Sequence, residues 1–71
     1  MKKKIIIEGM SCEHCVKHVK AALEELNGVT GVSVSLEKQS AVLEAEESIS
    51  DSSLKEAVEE AGYDVVKLET M

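Results

Sequence analysis

A chain of seventy-one residues lies near the lower limit for a self-supporting hydrophobic core, because it buries only about 60% of the surface its unfolded form exposes; a single small domain over residues 1–71 is expected. It contains no Phe or Trp and one aromatic residue, Tyr63, so its core must be built from Ile, Val, Leu and Ala. Fourteen acidic residues against eight basic ones, a net charge of −6, argue against nucleic acid as a partner, since binding it depends on neutralising phosphates.

The opening MKKKIII imitates the charged start of a secretory signal, but its apolar run stops at Glu8, short of the roughly 7 to 15 residues such a signal needs. It reads instead as a lysine-flanked strand from Lys3 to Glu8, ended by Gly9. With no signal and no apolar stretch long enough for a membrane span, the expectation is a cytoplasmic protein without direct membrane insertion. In that compartment a cysteine pair serves metal binding or catalysis rather than acting as a structural disulfide.

From Glu13 to Leu26 the apolar residues Cys15, Val16, Val19, Ala22, Leu23 and Leu26 recur at three- and four-residue steps, which predicts an amphipathic helix stopped by Asn27-Gly28. Val32, Val34 and Leu36 alternate with serines as a second strand. Glu37 to Ser40 turn the chain, and Ala41, Leu43 and Ala45 alternate through a third strand, making a hairpin. Ser50 reads as the N-cap of a second helix, with Asp51 in its first turn and Ile49 placed to staple onto Leu54. Leu54, Ala57, Val58 and Ala61 form its buried stripe, Gly62 ends it, and Tyr63 to Glu69 supplies a fourth strand. This order predicts an α+β, ferredoxin-like βαββαβ sandwich, a four-stranded antiparallel sheet with both helices on one face. The Gly9–His14 loop and Gly62-Tyr63 then share one end of the sheet, which brings Tyr63 near the cysteines.

The segment GMSCEHCVKHV, residues 9 to 19, holds both cysteines and both histidines. Cys12 and Cys15 are three apart, one in the loop and one in the first helical turn, so their sulfurs can converge on a single ion. The positive end of the helix favours the thiolate, the metal-binding form. Soft thiolates select Cu(I), Zn(II) or iron-sulfur centres, and two cysteines are too few for a cluster within one chain. A closed structural zinc site would need His14 and His18 to join the pair from the same short segment. C-x-x-C at a helix start is also the thioredoxin arrangement, but the order of elements is wrong for that fold, and neither the preceding Trp nor the facing cis-Pro is present.

The motif GMSCEHC, together with EGMSCEHCVKHV and the downstream GYDV, resembles the metal-binding loop of heavy-metal-associated (HMA) domains, and within them the bacterial CopZ-like copper chaperones. The resemblance runs from about Ile5 to Val66. It implies that Cys12 and Cys15 bind Cu(I) and that the domain passes the ion to the metal-binding domain of a copper-transporting P-type ATPase. It places Met10 as a core residue anchoring the loop and, alternatively, as a soft additional ligand. Tyr63 matches a tyrosine beside the site in bacterial chaperones, where it either bonds a cysteine sulfur or simply packs the loop. Ser11 stands where zinc and cadmium relatives often carry Asp, which disfavours a divalent ion. His14 is either an added ligand when two molecules share copper or an exposed polar residue; His18 matches no family feature.

The expected function is therefore ion carriage rather than enzymatic catalysis: delivery of Cu(I) by thiolate exchange, with a copper-bridged homodimer when copper exceeds partner. The alternatives are carriage or buffering of mercury or zinc, and thiol redox chemistry.

Overall fold

The computed structural model describes residues 1–46 and 49–70. Its elements run β1 (Lys2–Glu8), α1 (Glu13–Glu24), β2 (Val29–Ser35), β3 (Ser40–Ala45), α2 (Asp51–Glu60) and β4 (Asp64–Thr70). The strands form one antiparallel sheet in the order β2-β3-β1-β4. Helix α1 packs over β2, α2 packs over β4, and the helices touch each other, so both cover the same face. This is the ferredoxin-like sandwich that the order of elements predicts.

Alternation decides which side of each strand turns inward. On β1 Lys3, Ile5 and Ile7 are buried while Lys2 is exposed. Across the sheet Ile5 faces Ala41 and Lys3 faces Leu43, and Ala41, Leu43 and Ala45 are all buried. Val19 and Leu23 of α1 and Leu54, Ala57 and Val58 of α2 close over them. Cys15, Val16, Ala22, Leu26, Ile49 and Tyr63 pack at the margin of this core.

The element ends differ from the sequence expectation where backbone geometry, rather than hydropathy, sets them. The hairpin turn occupies residues 36–39 and Ser40 already belongs to β3. Gln39 takes a left-handed conformation (φ 50°) and its side-chain amide donates to the Leu36 carbonyl at 2.7 Å, so the chain re-enters the sheet one residue early. Strand β2 begins at Val29 instead of Val32, because the positive φ of Gly28 (100°) delivers the chain straight into pairing with Ala45. Leu26 lies beyond the end of α1, which closes at its C-cap Glu25. Tyr63 precedes β4 rather than starting it.

Lys3 sits on the core-facing side yet is only 7% exposed. Its ammonium donates to Asp51 Oδ1 at 2.8 Å and to Thr70 Oγ1 at 2.9 Å, so the charge is satisfied at the rim while the stem lies along apolar surface. This clamp ties the start of β1 to the start of α2 and the end of β4, at the end of the sheet remote from Gly9.

Candidate metal centre

The loop between β1 and α1 is fixed at both ends. Gly9 has φ 101°, a conformation that L side chains adopt only with strain. It turns the chain so that Met10 drops into the core, 4% exposed, while Ser11 and Cys12 remain on the surface. Cys12 is the N-cap of α1, in an extended conformation, and its side chain makes no capping hydrogen bond. Its carbonyl accepts from the backbone N–H groups of Cys15 at 3.1 Å and Val16 at 3.3 Å, which starts the helix and holds Cys15 in its first turn. The two sulfurs lie 3.5 Å apart without a disulfide between them, Cys12 exposed and Cys15 half-buried.

Tyr63 arrives from the other half of the chain. Gly62 ends α2 with φ 101°, and the Tyr63 N–H donates to the Val58 carbonyl at 3.3 Å. The ring then lies against the loop: a Cβ placed on Gly9 would sit 3.6 Å from Tyr63 Cδ1. The Cys15 thiol is held down to about 6 by the Tyr63 hydroxyl first, then by the Ser11 backbone and the Cys12 thiol, against a smaller upward push from burial. Groups that donate to a thiolate favour the charged form. Regular side-chain hydrogen-bond geometry at the Cys15 sulfur is found for the Cys12 thiol at 3.5 Å and the Ser11 hydroxyl at 4.0 Å. The leading influence on this sulfur remains the Tyr63 hydroxyl. In return the Cys15 sulfur pushes the Tyr63 hydroxyl upward.

His14 and His18 both lie exposed on α1. Among the described residues no set of three or more His, Cys, Asp or Glu side chains converges to hold an ion. What the loop presents is a pair of accessible soft sulfurs, one a thiolate at neutral pH, with open positions around any ion they hold. The contact of Ser11 with Cys15 was not anticipated. Its signal is the four-residue spacing of Ser11 and Cys15 around the first turn.

The model of the heavy-metal-associated domain matches residues 4–64. The chain belongs to the heavy-metal-associated domain family. Among relatives of this HMA domain, the copper chaperone CopZ of Staphylococcus epidermidis is 48% identical over 67 residues, covering 92% of this chain and 98% of its own. The copper chaperone CopZ of Staphylococcus haemolyticus is 47% identical over 64 residues, covering 89% and 94%. Among solved structures, a CopZ metallochaperone superposes with a TM-score of 0.90 at 39% identity, over 93% of this chain and 100% of that one. A copper binding domain from HMA7, a P-type ATPase, superposes with a TM-score of 0.87 at 31% identity, over 99% and 100%. No helix of the HMA domain among its described residues is long and apolar enough to cross a membrane.

Proposed function

We propose that residues 1–71 form a single HMA domain that acts as a copper chaperone of the cytoplasm, holds Cu(I) between Cys12 and Cys15 and hands it to the metal-binding domain of a copper-transporting P-type ATPase. The observation that carries the reading is the pair of free sulfurs 3.5 Å apart on an exposed helix start, in a chain whose CopZ relatives are named copper chaperones. The partner reading is supported by the likeness to a copper binding domain of a P-type ATPase, since two domains of one shape can present matching loops to each other.

Cu(I) is cargo here, and no substrate bond is made or broken. An ion held by both sulfurs would lie between them, and with metal–thiolate bonds of the order of the roughly 2.3 Å found at zinc the sulfurs, now 3.5 Å apart, would have to open to admit it. Cys12, exposed and not engaged in capping the helix, is the side chain free to move. An incoming partner thiolate then adds to the ion as a third ligand, and one chaperone thiolate leaves. Each metal–sulfur bond formed is matched by one broken, and the copper stays in its monovalent state. Low coordination number and exposure make the exchange fast, and the same exposed pair permits a copper-bridged homodimer when partner is scarce.

The test is anaerobic titration of reduced protein with Cu(I) against a Cu(I)-specific chelator, followed by mixing with an isolated ATPase metal-binding domain. One tightly held Cu(I) per chain that moves to the partner domain is expected. Binding that survives Cys12→Ser with Cys15→Ser, or copper that stays on this chain in the presence of the apo partner, overturns the proposal.

A further inference from the structure

His14 and His18 are the two histidines of the chain. They stand four residues apart inside α1 (Glu13–Glu24), both exposed. Residues at i and i+4 lie one above the other on a helix, with Cβ atoms roughly 5 to 6 Å apart. That spacing lets two imidazoles reach one ion, as in the helical H-x-x-x-H pairs of zinc sites. Neither ring makes a side-chain hydrogen bond or ion pair with another described residue. Imidazole suits divalent zinc, nickel and Cu(II), whereas the thiolate pair suits a softer ion.

We infer that the exposed His14–His18 pair on α1 is a second metal site, specific for a divalent imidazole-seeking cation and separate in chemistry from the thiolate pair. No third His, Cys, Asp or Glu converges with it among the described residues, so water fills the remaining positions and the site exchanges its ion readily. The chain thus carries a soft and a borderline site side by side, and divalent ions have a landing place that leaves the thiolates free.

The experiment uses the full chain with both cysteines alkylated, so that the thiolates cannot contribute and the outcome is independent of Cu(I) binding. Nickel(II) is the probe, because it is paramagnetic and identifies its ligands by broadening nearby amide resonances. One nickel per chain is expected, with broadening centred on residues 14–18 and an affinity that falls by about tenfold or more in either His14→Ala or His18→Ala. Because both side chains are exposed, circular dichroism of each variant is expected to match the parent. A further variant, His18→Ala with Lys20→His, keeps two histidines but sets them on different faces of the helix; it is expected to bind as weakly as His18→Ala alone. Equal affinity in parent and His18→Ala, broadening centred on the carboxylates of α2, or full binding by the rearranged pair overturns the inference.

Discussion

The Tyr63 hydroxyl is the leading influence on the Cys15 thiol, holding it down to about 6, although the two residues belong to opposite halves of the chain. Tyr63→Phe keeps the ring against Gly9 and removes only the hydroxyl. The inflection of Cys15 alkylation rate with pH is expected to move up from about 6 toward the ordinary value of 9.0. An inflection that stays in place would assign the low value to the backbone at Ser11 and to Cys12 alone.

The same displacement makes folding depend on pH. Cys15 has a folded value of about 6 against an ordinary 9.0, so between these limits the unfolded thiol binds a proton that the folded one does not, and stability rises with pH. The contribution is fully present above the unfolded value and is lost as pH falls through about 6. Urea midpoints of the reduced protein are expected to climb across this window, and Cys15→Ser is expected to flatten the climb. Proton competition for metal at this sulfur should likewise set in only as pH drops toward the folded value.

The Lys3 clamp affects stability and leaves the metal loop alone. Asp51→Ala strips a nearly buried ammonium of its carboxylate at 2.8 Å. It is expected to cost about 1 to 2 kcal/mol, less than breaking a fully buried pair, because the Asp51 side chain is 59% exposed and water replaces it in part. Lys3 and Gly9 are separated by most of β1, roughly 20 Å, so Cu(I) affinity should stay at the parent value while the urea midpoint falls. A large change in affinity would show the two ends of the sheet to be coupled.

Ser50 caps α2 by accepting from the Ser53 N–H at 3.2 Å. Ser50→Ala is expected to lose about 1 kcal/mol, and Ser50→Asp to keep most of it, since an aspartate accepts the same bond and suits the positive helix end. Denaturant titration of the two variants together distinguishes a capping loss from a general surface effect.

The order of elements and many inward-facing positions were legible because they rest on short-range periodicity: Val19 and Leu23, Ala41 and Leu43, Leu54 and Val58 are all buried, whereas the unbroken run Ile5-Ile6-Ile7 did not mark Ile5 and Ile7 as the inward pair. The approach of Tyr63 to the loop was legible too, since it follows from topology once both glycine-ended elements are placed. The burial of Lys3 was not legible, because its partners are 48 and 67 residues away and nothing around it in the sequence marks it. The turn at Gln39 escaped for a different reason. Its left-handed backbone is accompanied by its own amide bonding the Leu36 carbonyl, a choice that hydropathy does not register. At the site, the C-x-x-C spacing indicated convergence of the sulfurs, but not that Ser11 would lie beside Cys15.

Cys12 occupies the N-cap of α1 without capping it, at a position where serine, the residue closest to it in size, would bond an open N–H. Folding alone would therefore choose serine there, and Cys12→Ser is expected to raise stability by about 0.5 to 1 kcal/mol. A domain carrying this replacement is the sounder fold and the poorer carrier. Its failure to take up copper would then mark a conflict between durability and use at one backbone position, and could not be ascribed to a damaged protein.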